Sequence, residues 1–388
     1  MPQLTSIDDL LEQMVGMGAS DLHVTVGSPP AFRVRGHIAR AEGFEPFTAD
    51  DTRSLLYRIL SSEQQKQFEL KRQLDFAYSM PGLARFRVNV YMQREAVGAA
   101  FRLIPQEIKT MEELGLPPVL RTLAEKPRGI VLVTGPTGSG KSTTLASVID
   151  EINRTRSEHI LTVEDPIEFV HRHKACIVNQ REIGPDALSF AEALKAALRQ
   201  DPDVILVGEM RDLETISTAL TAAETGHLVF GTLHTQSAPS TIDRIIDVFP
   251  PAQQEQVRIM IANSLQGVVT QTLLPTADGQ GRVAALEILL PDDAVRNLIR
   301  QAKIEQVYSI MQTNTARGMQ TMEQALADLT LRRIVNPDEA FSHTNRRDIL
   351  AGILERNGLD VRGVLASLEL SAPPPQAAGG LRVAGSSA

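Results

Sequence analysis

The segment GIVLVTGPTGSGKS, residues 129–142, joins an apolar run to a glycine-rich loop. The loop matches the P-loop pattern Gly-x-x-x-x-Gly-Lys-[Ser/Thr], and the residues after it have the apolar spacing of a helix. Glycines let backbone N–H groups approach phosphate, Lys141 offers its charge to the β- and γ-phosphates, and Ser142 offers a hydroxyl to Mg²⁺. We therefore predict that ATP and Mg²⁺ bind here. The predicted nucleotide-binding residues are Gly135, Pro136, Thr137, Gly138, Ser139, Gly140, Lys141, Ser142 and Thr143.

Three further apolar runs follow the P-loop, and none of them alternates with polar residues. They are HILTVED at 159–165, VILVGE at 204–209 and HLVFGTLHT at 227–235. Such runs are typical of strands that are buried on both faces of a parallel sheet. Helical patterns lie between them, so this half of the chain is predicted to be an α/β domain.

Acidic residues end two of these runs. Glu209 ends the second run, as in a Walker B strand, where a carboxylate holds Mg²⁺ or orients the attacking water. Glu164 and Asp165 end the first run, and catalytic groups gather at such strand ends in open α/β sheets. We expect Glu164 to be the general base, with Glu209 as the second candidate, although spacing alone does not rank them. Asp165 fits a turn as well as a catalytic role, and the predicted metal-binding residues are Ser142 and Glu209.

One histidine and several arginines are further candidates. His234 follows the third run and is placed to sense the γ-phosphate, although a lone histidine is more often structural. A P-loop cleft leaves the γ-phosphate open on one side, so a cation from another subunit can complete it. We expect Arg244 and Arg199 in this role, with Arg85 and Arg102 as weaker candidates. Each could instead be a surface or ion-pairing arginine.

The chain divides into segments of different character. Its first hundred residues contain short alternating runs typical of an antiparallel sheet, and a helical pattern over residues 49–70. A stretch punctuated by Pro and Gly follows and is predicted to be a linker. The predicted segments are an N-terminal α+β domain at 1–100, a linker at 101–118, an ATPase core at 119–289, a helical region at 290–365 and a disordered tail at 366–388.

Composition excludes several classes of protein. The formal net charge is −8, and the chain has no Trp, which argues against a nucleic-acid partner. Cys176 is the single cysteine, so neither an internal disulfide nor a four-cysteine zinc element is possible. No run of about 18 consecutive apolar residues occurs. We therefore expect no direct membrane insertion, and any membrane association must pass through a partner.

These motifs resemble those of one family when they are taken in order. The P-loop, ILTVEDPIEF at 160–169, DPDVILVGEMRD at 201–212 and TGHLVFGTLHT at 225–235 resemble the Walker A, Asp, Walker B and His boxes of secretion-superfamily ATPases. Within that superfamily the chain is similar to the PilT-type retraction motors of type IV pili. Its segment AVRNLIRQ at 294–301 resembles the signature AIRNLIRE, with Val295 in place of Ile and Gln301 in place of Glu. The resemblance covers residues 1 to about 340.

The resemblance implies a fold, an activity and partners. It implies an N-terminal PAS-like α+β domain followed by a RecA-like P-loop ATPase domain with a helical C-terminal part. It further implies a homo-hexamer in the cytoplasm, peripheral to the inner membrane through the platform protein and the pilus machinery, that hydrolyses ATP to drive pilus disassembly and twitching motility. The signature segment is expected to serve retraction rather than chemistry, through Arg296 and Leu298. The catalytic residues expected on this basis are Glu164, Glu209, Lys141, Arg244, Arg199 and His234.

Three alternative functions remain open at this point. An accessory PilU-like retraction ATPase is the nearest of them. A nucleotide-gated module that does not hydrolyse ATP is disfavoured by the acids at 164 and 209 and by the arginines. A nucleic-acid translocase is disfavoured by the acidic net charge.

Overall fold

The computed structural model describes residues 6–34, 36–105 and 107–371, with the backbone alone for residues 367–371. Two β-sheets occur in this part of the chain, an antiparallel one in the N-terminal half and a mostly parallel one around the P-loop. The mixed α/β architecture predicted from the sequence is confirmed. The predicted domain boundaries stay predictions.

The N-terminal half is built on an antiparallel sheet with helices packed against it. Its strands are β1 (Asp21–Val24), β2 (Ala31–Val34), β3 (His37–Arg40), β4 (Gln73–Met80), β5 (Ala84–Gln93) and β6 (Ala96–Ile104). Within the described residues their order is β3-β2-β1-β6-β5-β4, and every neighbouring pair is antiparallel. Three helices pack beside this sheet: α1 (Ile7–Gly16), α2 (Ala49–Tyr57) and α3 (Ser62–Lys71). The core that they share with the sheet includes Phe32, Phe68, Phe86 and Phe101.

Two features of this half differ from the prediction. Residues 49–70 form α2 and α3 rather than one helix, because the Ser61 side chain accepts a hydrogen bond from Gln64 N–H and so begins a new helix. The predicted linker 101–118 begins inside β6, where Phe101 is fully buried and pairs with Val88. Pairing on both sides makes this stretch an inner strand, and Pro105 comes directly after its end.

The second sheet contains all the apolar runs that were expected to be buried strands. Its members are β7 (Gly129–Thr134), β8 (His159–Glu164), β9 (Ile177–Glu182), β10 (Val204–Val207), β11 (Leu228–Leu233), β12 (Leu265–Pro275) and β13 (Arg282–Leu289). Within the described residues the order is β13-β12-β7-β11-β10-β8-β9. Every pair is parallel except β12 and β13, which form an antiparallel hairpin at one edge.

Helices cover both faces of this sheet. They are α4 (Val119–Ala124), α5 (Lys141–Thr155), α6 (Phe190–Ala197), α7 (Leu213–Glu224), α8 (Ala238–Asp247) and α9 (Pro251–Ser264). Leu132, Ile205 and Val229 share one core with α7, α8 and α9, whereas Val131 and Phe230 share another with α5. Burial on both faces is the reason that these strands are apolar without alternation. The second core also contains Cys176, whose thiol lies 3.0 Å from the Arg156 carbonyl oxygen.

The C-terminal part is helical, as the sequence predicted. It contains α10 (Asp293–Arg300), α11 (Val307–Thr313), α12 (Met322–Leu331), α13 (Pro337–Ser342), α14 (Arg347–Arg356) and α15 (Arg362–Ser371), with short 3₁₀ turns at Ile304–Gln306 and Thr315–Arg317. Residues 366–371 of the predicted tail belong to α15, and the rest of that tail lies outside the described residues. Among the helices that the structure describes, none combines the length and apolar character needed to cross a membrane.

Candidate nucleotide-binding and catalytic site

The order of the parallel strands brings the predicted catalytic segments together. β7, β11, β10 and β8 are consecutive neighbours in the sheet, and parallel strands direct their carboxyl ends to one edge. At this edge the P-loop follows β7, His234 follows β11, Glu209 follows β10, and Glu164 ends β8. Residues that are distant in the sequence therefore meet at one cleft.

A cavity of about 440 Å³ lies between the P-loop and these strand ends. Asp165, Phe190, Leu273 and Arg282 also line it, and sequence reasoning had not placed Leu273 or Arg282 there. The predicted residues that line it are Thr137, Gly138, Ser139, Gly140, Lys141, Ser142, Thr143, Glu164, Glu209 and His234. The structure thus collects most of the predicted nucleotide-binding and catalytic side chains around one space.

Lys141 is largely buried at the start of α5, and its ammonium turns back onto the loop. Its Nζ donates hydrogen bonds to the carbonyl oxygens of Gly135 (2.8 Å) and Pro136 (3.1 Å). Burial lowers the pKa of Lys141, and the carboxylates of Glu209 and Glu168 oppose this effect. A phosphate oxygen is a stronger acceptor than a neutral carbonyl, so this ammonium is suited to contact a phosphate group.

The side chain of Gln271, on β12, forms hydrogen bonds with the P-loop and with the start of α5. No sequence motif predicted this role. Its Nε2 donates to the Ser139 carbonyl oxygen at 2.7 Å, and its Oε1 accepts from the Thr144 hydroxyl at 2.7 Å. Gly135 has a φ of 137°, and a Cβ there would lie 2.2 Å from the Gln271 carbonyl oxygen. The sequence signal for this role is a polar residue within a largely apolar strand. In the structure the Gln271 side chain is almost completely buried.

Glu209 and His234 form a pair at the ends of adjacent strands. The Glu209 Oε1 lies 2.8 Å from His234 Nε2, and the Arg211 guanidinium contacts the same oxygen. Both side chains reach the cavity beside Lys141. The structure thus places His234 against a strand-end carboxylate of the cleft, and its role as a sensor of the γ-phosphate stays a prediction.

Glu164 lines the same cleft from the end of β8, and its side chain is partly buried. Its Oε1 accepts hydrogen bonds from the Thr162 hydroxyl (2.6 Å) and from Gln180 Nε2 (3.2 Å). Burial raises the pKa of Glu164, although these two hydrogen bonds oppose the rise. Gly208 adjoins it so closely that a Cβ there would lie 3.1 Å from the Glu164 Cα. A buried carboxyl with a raised pKa is suited to accept a proton near neutral pH.

The four candidate arginines fall into two classes. Arg244 and Arg199 are exposed, and neither forms an ion pair within the described part of the chain. Arg85 lies 2.9 Å from the buried Glu182, and Arg102 lies 2.8 Å from Asp21. Arg85 and Arg102 thus have partners in their own chain, which disfavours them as cations for another subunit.

The signature segment AVRNLIRQ forms α10, and its arginines differ in environment. Arg296 is half-buried, and its guanidinium donates to the carbonyl oxygens of Ala262 and Leu265, where α9 ends and β12 begins. Leu298 packs partly against the core of the sheet. Arg300 is exposed. Arg296 and Leu298 therefore also hold the fold, and the expectation that this segment serves retraction rather than chemistry stays a prediction.

Most of the chain is similar to one known protein family. The family described as type II/IV secretion system protein matches residues 2–341. The chain belongs to this family. It is 53% identical over 334 residues to the type IV pilus retractation ATPase PilT of Pseudomonas aeruginosa, which covers 86% of this chain and 96% of that protein. It is 41% identical over 338 residues to the type IV pilus ATPase PilU of the same organism, which covers 87% of this chain and 88% of that protein.

A solved structure agrees with this membership of the type II/IV secretion family. The crystal structure of the pilus retraction motor PilT with bound ADP superposes on this chain with a TM-score of 0.84 at 51% identity. The superposition covers 89% of this chain and 98% of that one. The similarity therefore extends over both sheets rather than over the P-loop half alone.

Proposed function

We propose that this chain is an ATP-hydrolysing motor that powers type IV pilus retraction. The observation that carries the proposal is the shared cleft of the P-loop, Glu164, Glu209 and His234 in a chain with this similarity to PilT. The higher identity to PilT than to PilU favours retraction motor over accessory ATPase. The accessory function stays the nearest alternative.

The residues of the cleft have distinct proposed roles in hydrolysis. P-loop N–H groups and Lys141 bind the phosphates. Glu164 accepts a proton from the attacking water, while the oxygen of that water adds to the γ-phosphorus and ADP leaves. Glu209 and Ser142 would hold Mg²⁺, and both offer the oxygen ligands that this ion prefers. When bound, Mg²⁺ neutralises charge on the phosphates. His234, which contacts Glu209, would sense the γ-phosphate.

The proposed domain classes and assembly follow from the same resemblance. We assign the N-terminal half as a PAS-like domain that includes all of β6, and the P-loop half as a RecA-like domain. The active unit is a homo-hexamer in the cytoplasm, held at the inner membrane by the platform protein of the pilus machinery. Nucleic acid is not a partner, in agreement with the net charge of −8.

Steady-state ATPase measurements and twitching complementation test this function. Purified oligomer is expected to hydrolyse ATP with a dependence on Mg²⁺, and DNA is expected to leave the rate unchanged. Expression of the chain in a strain without its retraction ATPase is expected to restore twitching. Restoration only when a second retraction ATPase is present would identify the accessory function instead, and strong stimulation by DNA would identify a translocase.

Replacement of the two acids separates their roles. Glu164→Gln and Glu209→Gln are each expected to bind ATP yet lower turnover by roughly 10²–10⁴-fold, because an amide neither accepts the proton nor holds Mg²⁺ as well. The Mg²⁺ concentration that gives half-maximal turnover is expected to rise for Glu209→Gln and to stay unchanged for Glu164→Gln. Turnover at the wild-type rate in either variant would show that its carboxylate is only structural.

The signature helix allows a matched comparison between two arginines. Arg296→Ala is expected to lower the free energy of unfolding by about 2 kcal/mol, because charged hydrogen bonds to two carbonyls are lost. It is also expected to lower basal ATPase, because one of these carbonyls begins β12, the strand whose Gln271 contacts the P-loop. Arg300→Ala, which alters an exposed side chain of the same helix, is expected to keep stability and basal ATPase while reducing twitching. Urea unfolding, ATPase assays and twitching zones measure these effects. Equal loss of stability in both variants would contradict the structural role assigned to Arg296.

A further inference from the structure

Glu287 is a buried carboxyl on β13 that the proposed hydrolysis does not use. It is 3% exposed, and its Oε1 accepts a hydrogen bond of 2.6 Å from the backbone N–H of Ala238. Ala238 is the first residue of α8, the helix that begins just after the loop bearing His234 and that carries Arg244. The carboxyl thus occupies the N-terminal end of a helix beside the nucleotide cleft.

The same carboxyl faces the start of a second helix. Burial raises the pKa of Glu287 to about 7, and the backbone N–H groups of Ala238 and of Met322, the first residue of α12, oppose this rise. Helix N-termini carry unpaired N–H groups and a partial positive charge, so one carboxylate can satisfy both. One side chain therefore joins the ATPase part, through α8, to the C-terminal helical part, through α12.

The surroundings of Glu287 also reach the P-loop. Glu287 pairs with Thr270 across the β12–β13 hairpin, and the Thr270 hydroxyl lies 2.8 Å from that of Thr134 at the end of β7. A cavity of about 670 Å³ beside it is lined by Pro136 of the P-loop and by Gln271. Glu287 thus lies on a hairpin that packs beside the P-loop strand, whereas Gln271 makes the side-chain contacts to the loop itself.

A second buried acid in this cavity has a different set of contacts. Glu323 accepts hydrogen bonds from the hydroxyls of Tyr308 and Thr344, each at 2.7 Å, and Arg346 stacks on the Tyr308 ring at 3.4 Å. All of these residues belong to the C-terminal helical part. Glu323 provides the control, because it is as buried as Glu287 while its hydrogen bonds run to Tyr308 and Thr344 rather than to α8.

We propose that Glu287 is a positioning residue that holds the starts of α8 and α12 in one arrangement, so that the C-terminal helices set the geometry of His234 and Arg244 for ATP hydrolysis. This inference rests on the proposed ATPase function. The P-loop itself is held by Gln271 and does not depend on this carboxylate. Loss of Glu287 therefore affects turnover rather than nucleotide binding.

Glu287→Gln tests the proposal, with Glu323→Gln as the matched control. The amide oxygen can accept a hydrogen bond from the first N–H group of one helix. The amide NH₂ group then faces the first N–H group of the other helix, and two donors cannot pair. Turnover number is expected to fall by about 10–100-fold, as for misplacement of groups near the chemistry, with the KM for ATP within about twofold of wild type. Glu323→Gln is expected to keep the wild-type turnover number. Titration with a fluorescent ADP analogue is expected to give the wild-type number of binding sites, which excludes a simple loss of folded protein.

The outcomes of this experiment test either the positioning role of Glu287 or the proposed ATPase function. A wild-type turnover number in Glu287→Gln, an equal fall in Glu323→Gln, or a fall matched by lost binding sites would overturn the positioning role. If Glu287→Gln does not assemble, Glu287→Asp, which keeps the carboxyl group but shortens its reach, provides the same comparison. An inactive wild-type oligomer would instead refute the proposed function itself.

Discussion

Lys141→Ala is expected to abolish ATP hydrolysis and weaken ATP binding while leaving the fold intact. The ammonium is one of the few positive groups at the cleft, and among the described residues its hydrogen bonds go to the Gly135 and Pro136 carbonyls of its own loop. Neither contact joins one element of the core to another, so their loss does not disturb the packing of the sheet. Without this charge, the β- and γ-phosphates lose the cation that offsets the charge developing during transfer.

The measurement combines ATPase assays with nucleotide titration and circular dichroism. Lys66→Ala is the control, because Lys66 is an exposed lysine of α3 without an ion pair in the described residues; it is expected to behave as wild type. Hydrolysis by Lys141→Ala at a rate near that of wild type would refute the P-loop assignment. Loss of the folded signal would show that Lys141 is structural.

Arg244→Ala is expected to lower the turnover number by roughly 10³–10⁵-fold, the contribution typical of an arginine supplied across a subunit boundary. Arg244 is exposed on α8, whereas its neighbours Ile242 and Ile245 are buried and anchor the helix. Its guanidinium is therefore held by a rigid element and free to contact a neighbouring subunit. Arg199 is the second candidate for the same role.

Mixed oligomers test whether this arginine acts on another subunit. Lys141→Ala and Arg244→Ala proteins, each inactive alone, are expected to recover part of the ATPase when co-assembled, because some clefts then pair an intact P-loop with an intact arginine. Arg102→Ala is the control, since Arg102 already pairs with Asp21 in its own chain, and it is expected to retain ATPase. Mixed rings that gain nothing despite verified exchange of subunits would contradict the proposal, as would monomers as active as rings.

The sequence predicted which segments form the site because its chemistry lies at strand ends. An apolar run that ends in Glu164 or Glu209 carries both its burial and its functional side chain in a few adjacent residues. Parallel pairing then brings these ends to one edge. The contact between Glu209 and His234 was not predictable, because it depends on β10 and β11 being neighbours, and nothing local encodes strand order.

The residues that prediction missed act over long distances in the chain. Gln271 lies more than a hundred residues after the loop that it holds, and β12 had no motif of its own. Arg296 was placed correctly on a helix, but its acceptors at the end of α9 depend on tertiary packing. The nearby prolines predict a linker at Phe101, whereas its pairing with β1 and β5 makes it part of β6. Local patterns therefore identified elements, and tertiary contacts decided the roles of these side chains.

The burial of Cys176 has a practical consequence for spectroscopy. It is 2% exposed, and burial raises the pKa of its thiol. Maleimide reagents attack the thiolate of accessible cysteines, so the native chain offers little background for labelling. Leu70 and Leu188, 82% and 86% exposed, lie in the N-terminal and P-loop halves and are open positions for introduced cysteines. A fluorophore pair at these two positions would report the distance between the halves during turnover, without first removing the native cysteine.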